Sequence, residues 1–427
     1  MTTKKFYQLS PAERREQLYK KNKLRSKIIE NTDLAALNQL SENVIGSLSL
    51  PLSVVESLIV NDVEYSVPMA TEEPSVVAAA NHGASIFNRA GGVIATSERQ
   101  GIYGQVVLAV SPEFKEKHFS QLVAEIKTLI EQLNQQFVSL VNHGGGVRSI
   151  TAQMIEGLLE LKVLVDPAEA MGANKVNSIM EYLTNLLLDY DEIVDAQFAI
   201  LSNFPTQLTT AKVWLPLNLL NKGCTDAELD EAPSENARKV AQKFVSIADF
   251  GRKSLLRAPT NNKGIMNGVD SVLLATGNDF RAVEAATHVY ASEYGHYEPL
   301  SSWSVESNRK VDFLVGQLTL PLPIGVVGGS INVRPDVKEA FNILGQPNVH
   351  ELAEVVASIG LANNFAALYA LATSGIQEGH MKLQARNAAV SNGALIEELP
   401  EILPLILVGK DFSSAKIKQI ITEYRNK

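Results

Sequence analysis

The middle of the chain alternates strand and helix patterns, and this alternation constrains the fold more than any other feature. An apolar β pattern over 104–110 is followed by an amphipathic helical pattern over 111–140, and strand, helix and strand patterns then continue to residue 201. Elements that alternate in this way pack as layers around a core of their own. The alternation predicts a small α+β or α/β unit inserted into a larger one.

The flanking sequence predicts the rest of the larger unit. Ser10-Pro11-Ala12-Glu13 has the spacing of a capping box, and alternating residues over 47–69 predict strands that turn at Asn61-Asp62. A helix is predicted over 71–89. Beyond residue 206 the patterns predict a helix over 233–256, a glycine- and asparagine-rich loop over 261–279, strands within 312–333, and helices over 348–374 and from 375 onward.

Composition excludes several classes of protein. The net charge of -9 disfavours a broad surface for nucleic acid or an anionic membrane. Cys224 is the single cysteine, which excludes an internal disulfide and a cysteine-based zinc site. From the polar N-terminus we expect no signal peptide, and no run of about 18 apolar residues is evident. We expect a soluble cytoplasmic protein without a metal.

Common catalytic signatures are absent from the sequence. It contains no P-loop and no G-x-S-x-G elbow, and its 7 histidines are scattered without metal-ligand spacing. Gly144-x-Gly146-x-x-Ser149 only approaches the dinucleotide-binding fingerprint. A Rossmann dehydrogenase is therefore not expected.

Four islands place ionisable residues inside apolar, glycine-rich sequence. In the first, Glu72-Glu73 stands where a strand gives way to a helix; it is either a charge favoured by the helix dipole or a half-buried general acid. The second and third, 257–268 and 275–281, form a predicted loop whose cations and amides suit a carboxylate and an oxyanion. Asp279 has a structural alternative as the N-cap of a helix over 280–292.

The fourth island is Glu378-Gly379-His380, where a lone histidine is more often structural than catalytic. A separate segment, 169–174, lies at a strand-to-helix junction and offers backbone N–H groups to a phosphate.

Taken together, these segments resemble the class II (bacterial-type) 3-hydroxy-3-methylglutaryl-CoA (HMG-CoA) reductases in collinear order. The matching stretches are ENVIGSLSLP (42–51), VPMATEEPSVVAAA (67–80), EAMGANKVN (169–177), ILSN (200–203), NKGIMNG (262–268), ATGNDFRAVEA (275–285), GVVGG (325–329), GLANNFAALYALAT (360–373) and GIQEGHMKLQARN (375–387). Any one of them is weak, whereas the ordered set covers almost the whole chain.

The resemblance implies a catalytic role for each of four residues. Glu73 matches the acid that protonates the reduced carbonyl oxygen, and Lys263 matches the lysine that stabilises the oxyanion. Asp279 matches the aspartate that links the two. His380 matches the histidine on a mobile C-terminal flap that protonates the departing CoA thiolate.

The resemblance also implies the binding residues. Those that hold the hydroxymethylglutaryl group would be Ser75, Arg257, Asn267 and Asn364. Those on the nucleotide side would be Arg148, Ser149, Glu169, Met171, Gly172, Asn174, Asn203, Gly328 and Gly329.

The implied architecture is an α+β fold with a large substrate-binding domain, an inserted small non-Rossmann nucleotide-binding domain and a C-terminal helical flap. The expected divisions are 1–99 and 207–374 for the large domain, 100–206 for the small domain and 375–427 for the flap. A homodimer or higher even oligomer with active sites across the interface is also implied.

The chain departs from the family pattern at several positions. Glu169 and Ser149 stand where relatives carry aspartate, Gln384 replaces a second histidine, and Tyr7 replaces an arginine that contacts CoA, leaving Arg14 or Arg15 for that task. A carboxylate at position 149 would repel a 2′-phosphate. Ser149 beside Arg148 removes that repulsion, so we expect NADPH to be preferred, with NADH as the alternative.

Several functions are compatible with this pattern. The first is reduction of HMG-CoA to mevalonate and CoA, and the reverse, catabolic oxidation of mevalonate uses the same residues. A non-catalytic relative that binds CoA esters is disfavoured because Glu73, Lys263, Asp279 and His380 are all present. A third alternative is another thioester reductase with the same fold, since substrate choice depends on a few pocket contacts.

Overall fold

The computed structural model describes residues 9–20, 37–39, 41–308, 311–329, 331–373, 385–409 and 411–426. Contacts between Cα atoms divide the chain into two compact units, Met1–Pro51 and Leu52–Lys427. The first unit contains helix α1 (Pro11–Lys20). The Glu13 backbone N–H donates to Ser10 Oγ at 3.3 Å and Ser10 N–H donates to Glu13 Oε2 at 2.7 Å, which confirms the predicted capping box.

The second unit begins with an antiparallel hairpin of β1 (Leu52–Val60) and β2 (Val63–Ala70). Asn61 and Asp62 join the strands with φ angles of 50° and 63°. Positive φ at both central residues matches the right-handed twist of paired strands, which confirms the predicted turn. The hairpin leads into helix α2 (Val76–Arg89), whose predicted start at residue 71 was wrong by five residues, since 71–75 are not helical.

A four-stranded antiparallel sheet forms the centre of the larger core. Its strand order is β3 (Ile94–Arg99), β8 (Gln207–Pro216), β10 (Val311–Pro321) and β9 (Ser301–Asn308). β3, β8 and β9 were not predicted. β3 and β8 lie on either side of residues 100–206 in the sequence and pair directly, so the sheet is continuous across that segment.

Helices cover this sheet and the hairpin. They are α7 (Glu235–Lys253), α8 (Arg257–Ala275), α9 (Phe280–Tyr290), α10 (Pro335–Leu344) and α11 (Val349–Ala372). α11 is buried on nearly every side and packs against α2 and α8. By length and mean hydropathy α11 could cross a membrane, but 78% of its most apolar 18-residue stretch is buried inside the protein, which is the position of a core helix.

Residues 102–201 form a second four-stranded antiparallel sheet with a separate hydrophobic core. The strand order is β5 (Gly146–Ile155), β6 (Leu158–Asp166), β4 (Ile102–Val110) and β7 (Ile193–Leu201). The predicted helix over 111–140 is divided into α3 (Pro112–Lys117), α4 (Phe119–Gln136) and α5 (Val138–Asn142), and α6 (Ala173–Leu187) follows β6. Strand β5 was not predicted.

The C-terminal part contains a helical stretch over 385–391, α12 (Leu399–Gly409) and α13 (Ser414–Arg425). These elements share a small apolar cluster that includes Ala385, Ile402, Ile406 and Ile417. Arg425 Nη2 donates to Glu398 Oε2 at 2.7 Å and ties the last helix to the turn before α12. The predicted helical character of this segment is confirmed for the residues that the structure describes.

Candidate active site

Glu73 lies in the short connection between β2 and α2. Its backbone N–H donates to Thr71 Oγ1 at 3.2 Å, which shapes the turn after the strand. Ser75, at the helix N-terminus, has φ 76° and ψ -12°, a left-handed conformation that costs a residue other than glycine about 1–2 kcal/mol. Backbone strain of this kind persists where the surrounding structure enforces it, and it is concentrated at functional sites.

Lys263 meets this connection from helix α8. Its Nζ donates to Glu73 Oε2 at 2.6 Å, so two residues separated by 190 positions form a short charge-assisted hydrogen bond. The predicted loop over 261–279 was wrong, because Arg257–Ala275 is helical. The amide of Asn262 explains why: it accepts from Leu300 N–H and donates to the Glu298 carbonyl, so tertiary contacts outweigh its weak helix propensity.

Asp279 caps helix α9, as its structural alternative predicted. Its Oδ1 accepts from the backbone N–H groups of Arg281 and Ala282 at 3.1 and 3.3 Å. The Arg281 guanidinium also pairs with the same oxygen at 3.0 Å. Among the described residues of this single chain, Asp279 forms no ion pair with Lys263.

The other substrate-side candidates lie near α8. Arg257 is its first residue and is half-buried, and burial lowers the pKa of its guanidinium. Asn267 is four residues after Lys263 and therefore lies on the same face of the helix. Ser75 immediately precedes Val76, which begins α2. The structure thus places Glu73, Ser75, Lys263 and Asn267 on two elements joined by the Glu73–Lys263 pair.

Asn364 has a different environment from the one that sequence reasoning predicted. Only 1% of it is exposed, its Oδ1 accepts from Trp303 Nε1 at 2.8 Å, and its Nδ2 donates to Asn261 Oδ1 at 3.0 Å. Both polar atoms are therefore used inside the core. The side chain holds α11, α8 and β9 together, and in this structure it has no surface to offer a substrate.

Asn363, which the sequence reasoning missed, is also buried, with 4% of it exposed, but it differs from Asn364 in having an unpaired polar atom. Its Nδ2 donates to the Val76 carbonyl at 3.2 Å, beside Ser75. Its Oδ1 is buried without a hydrogen-bond partner among the described residues and faces Gly268, where a Cβ would come within 2.7 Å of it. An unpaired buried acceptor at this point is a signal that only the three-dimensional structure reveals.

The segments predicted for the nucleotide meet at the edge between the two sheets. Ala170 pairs with Val327 in a parallel bridge, and Val326 N–H donates to the Glu169 carbonyl at 2.9 Å. A Cβ at Gly325 would lie 2.3 Å from the Met171 nitrogen, so only glycine permits this approach. Gly172, with φ 95°, is the N-cap of helix α6, and Asn174 is exposed in the first turn of that helix. Gly328 and Gly329 have positive φ and border open space.

Glu169 and Arg148 both have protein partners in this structure. Glu169 Oε2 accepts from the Val349 N–H at 2.9 Å at the start of α11. Arg148 occupies a bulge in β5, and its Nη2 donates to Asp166 Oδ2 at 2.8 Å and to the Gly144 carbonyl at 2.6 Å. The buried guanidinium of Arg99 has a pKa lowered to about 10 by desolvation, which the carboxylates of Asp166 and Glu169 oppose.

The remaining candidates are more dispersed. Ser149 follows the bulge on β5, opposite Leu164 of β6, and Asn203 is exposed after β7. His380, Gln384 and Tyr7 lie outside the described residues, and the side chains of Arg14 and Arg15 are also outside them. In the described parts of the chain, no three His, Cys, Asp or Glu side chains cluster as metal ligands would.

Sequence comparison reveals relatives over nearly the whole chain. Residues 10–385 match the family model for hydroxymethylglutaryl-coenzyme A reductase. The 3-hydroxy-3-methylglutaryl-coenzyme A reductase of Archaeoglobus fulgidus is 33% identical over 99% of this chain and 94% of its own length. The probable enzyme of that name from Borreliella burgdorferi is 35% identical over 92% of this chain and 89% of its own.

Solved structures give the same result for the fold. A 3-hydroxy-3-methylglutaryl-coenzyme A reductase from Streptococcus pneumoniae superposes with a TM-score of 0.74 at 37% identity, covering 99% of this chain and 98% of that one. A class II enzyme from the same organism, bound to NADPH in open conformations, has a TM-score of 0.73 at 38% identity, covering 96% and 95%.

The mixed α/β fold therefore belongs to a known class of CoA-dependent oxidoreductases. The chain is a member of the hydroxymethylglutaryl-coenzyme A reductase family, in its class II branch.

Proposed function

We propose that this enzyme reduces (S)-HMG-CoA to (R)-mevalonate and CoA, with two NADPH, at a centre built on Glu73 and Lys263. The observation that carries the proposal is the 2.6 Å contact between Lys263 Nζ and Glu73 Oε2. It puts a fixed cation and a proton-exchanging carboxyl side by side, which is the pair of groups that a carbonyl reduction requires.

Lys263 would stabilise the oxyanion that forms when hydride reaches the thioester carbonyl. An ammonium that is already in position needs no reorganisation when that charge develops. Glu73 would then supply the proton to the reduced oxygen. NADPH supplies the hydride, and the protein residues position the carbonyl and manage its protons.

The side chains of Glu73 and Lys263 are exposed in the single chain, which suggests that other groups cover them in the working enzyme. In the single chain the side chains of Lys263 and Glu73 are 59% and 42% exposed. An ammonium in contact with bulk water stabilises an oxyanion weakly, because the dielectric constant there is high. We therefore propose a homodimer, or a higher even oligomer, in which a partner covers the pair and the aspartate linked to Lys263 is Asp279 across the interface.

Thiolate departure requires a second proton source. We propose His380 for that step, on a C-terminal flap over 375–427 that opens to exchange the nucleotide between the two hydride transfers. The matching domain division would be 1–99 and 207–374 for substrate and 100–206 for nucleotide. The separate cores of the two sheets support this division.

Substrate recognition would use groups that surround the pair. Arg257 is suited to the free carboxylate of the substrate, since guanidinium binds carboxylates in bidentate geometry. Ser75 and Asn267 would hold the remaining polar atoms, and we propose Asn363 in place of Asn364 because of its unpaired Oδ1 beside α2.

Nucleotide binding would use the cradle formed by 169–174 and 325–329. The N-terminus of α6 and the open space at Gly328 and Gly329 fit a diphosphate. Met171, Asn174 and Asn203 would line the same side, and Glu169 would position the segment through its bond to Val349 N–H.

We propose NADPH as the preferred nucleotide and NADH as the alternative. The NADPH-bound Streptococcus pneumoniae relative supports this choice, as does the absence of a carboxylate at Ser149. Arg148 would exchange its contact with Asp166 for the 2′-phosphate. We further propose that the enzyme is cytoplasmic and works without a metal.

A spectrophotometric assay with HMG-CoA and each reduced nucleotide tests the proposal. We expect nucleotide oxidation that depends on HMG-CoA and releases free thiol, with a larger kcat/KM for NADPH. Oxidation of mevalonate by the oxidised nucleotide in the presence of CoA, without detectable reduction of HMG-CoA, would favour the catabolic alternative. Binding of HMG-CoA with no turnover in either direction would refute the proposal and favour a CoA-ester-binding relative.

A further inference from the structure

Asp270 lies on the same face of α8 as Lys263 and Asn267, because residues spaced at i, i+4 and i+7 follow one side of a helix. The side chain is partly buried, and its Oδ1 is buried without a hydrogen-bond partner among the described residues. A carboxylate whose oxygen is desolvated and unpaired is costly, whereas the carbonyl oxygen of a neutral acid tolerates the same position much better. This environment therefore favours the protonated form of Asp270.

The neighbouring helix α9 supplies a second carboxyl group, which forms a pair with Asp270. Glu284, on α9, is within hydrogen-bonding contact of Asp270. His288 Nε2 lies 2.9 Å from Glu284 Oε2, and His288 Nδ1 lies 2.9 Å from the Tyr297 hydroxyl. When the hydroxyl donates to Nδ1, the other ring nitrogen carries a hydrogen and donates to Glu284. Glu284 is then the carboxylate, and Asp270 holds the proton between the two acids.

Titration of the pair agrees with its geometry. Desolvation, and then the charge and hydrogen bond of Glu284, raise the pKa of Asp270 to about 8. On α9, Glu284 faces Asp270 directly, and His288 contacts Glu284. No basic side chain in the described part of the chain forms an ion pair with Asp270.

The segment that contains Tyr297 also contacts Asn262, the residue before Lys263. Glu298, which follows Tyr297, accepts through its carbonyl from Asn262 Nδ2 at 2.8 Å. Asn262 Oδ1 accepts from Leu300 N–H at 3.0 Å. Helix α8, which carries Lys263, is therefore held at two points. Asn262 contacts the segment after α9, and Asp270 contacts Glu284 on α9.

We propose that Asp270 is a positioning residue whose acid proton, shared with Glu284, holds the Lys263-bearing face of α8 against α9, the helix capped by Asp279. The inference rests on the proposed roles of Lys263 and Asp279. Deprotonation would leave two carboxylates side by side, and their repulsion would separate the helices. Lys263 would then be misplaced for the oxyanion, so kcat falls while the KM for HMG-CoA changes little.

Three variants of the intact enzyme test this inference. Asp270→Asn is neutral at every pH and keeps an N–H donor for Glu284, and Asp270→Ala removes the bridge. Asp189→Asn, at an exposed position after α6, is the matched control for the loss of one charge. For each variant, kcat and KM are measured from neutral to alkaline pH, and folding is checked by thermal unfolding.

We expect the kcat of the wild-type enzyme and of Asp189→Asn to fall as the pH passes about 8, and this fall to be absent in Asp270→Asn. Asp270→Ala should lower kcat about tenfold or more at neutral pH, since small displacements of catalytic groups are costly, with a nearly unchanged KM. An alkaline fall in Asp270→Asn equal to that of the wild type, or a neutral-pH loss as large as in Asp270→Ala, would overturn the inference.

Infrared spectroscopy separates this inference from the proposed function. The difference spectrum between the wild type and Asp270→Asn should contain the carbonyl band of one protonated carboxyl group below about pH 8. The measurement needs neither substrate nor turnover. Absence of the band from the difference spectrum overturns the shared proton and leaves the roles of Glu73 and Lys263 untouched.

Discussion

Replacement of Asn364 by leucine removes the polar atoms of a fully buried residue while keeping its branching and its number of heavy atoms. The change leaves Trp303 Nε1–H and Asn261 Oδ1 without the partners they have at 2.8 and 3.0 Å. Each buried group left unpaired costs about 1–3 kcal/mol, so the two together should lower the free energy of unfolding by about 2–6 kcal/mol. The KM for HMG-CoA should change little at temperatures where the protein stays folded.

Asn363→Leu is the matched variant, because it makes the same change one residue earlier on α11. It removes one hydrogen bond, to the Val76 carbonyl, and an oxygen that already lacks a partner. We expect a loss of about 1–3 kcal/mol in stability and a clear rise in the KM for HMG-CoA. Urea unfolding followed by tryptophan fluorescence, with steady-state kinetics, measures both quantities. A rise in KM for Asn364→Leu at unchanged stability would refute the structural role given to Asn364.

Three further predictions concern the nucleotide and the effect of pH. Gly172→Ala should weaken NADPH binding, measured by fluorescence titration, because the residue has φ 95° and a Cβ would come within 2.4 Å of Pro167 Cβ; unchanged affinity contradicts the cradle. Ser149→Asp should lower kcat/KM for NADPH more than for NADH, since a carboxylate repels a 2′-phosphate; an equal effect on both argues against this site. Because the pKa of Asp270 is raised from 3.8 to about 8, the folded state binds more protons than the unfolded state between these values. The free energy of unfolding should therefore fall as pH rises through that window and level off above it, and this component should disappear in Asp270→Asn, as measured by urea unfolding across pH.

Local patterns were informative where one element determines its own conformation. The capping box at Ser10 and Glu13, the turn at Asn61-Asp62 and the N-cap at Asp279 are all short-range arrangements, and all are present. Each of them uses a side chain or a backbone preference within three residues of its partner.

Strands with buried polar residues were harder to recognise. Alternate residues of β8 are buried, but Gln207 and Thr209 are among them, so the apolar alternation is interrupted. In β5, the bulge at Arg148 shifts the register between Val147 and Ser149 and reverses the alternation near the start of the strand. Strand pairing, with the distant β3 and β10 for β8 and with the adjacent β6 for β5, determines these elements more than local hydrophobicity does.

The candidate site shows the same division between local and distant information. The ordered family motifs identified Glu73 and Lys263 as candidates, but only the folded structure shows that their side chains are in contact. The asparagines of α8 and α11 resemble loop or ligand residues in sequence, yet Asn262 and Asn364 are used in the core. Which of two adjacent asparagines faces the site depends on helix rotation, and one residue changes that direction by about 100°.

The most direct test of the account is the turnover of Lys263→Ala with HMG-CoA and NADPH. Lys243→Ala, at an exposed position on α7, is the matched control for loss of a surface lysine. We expect Lys263→Ala to fold normally and to lose at least about 100-fold in kcat, because it removes the group that stabilises the oxyanion. Lys243→Ala should remain fully active. Near-normal turnover of folded Lys263→Ala would contradict the assignment of the Glu73–Lys263 pair as the catalytic centre.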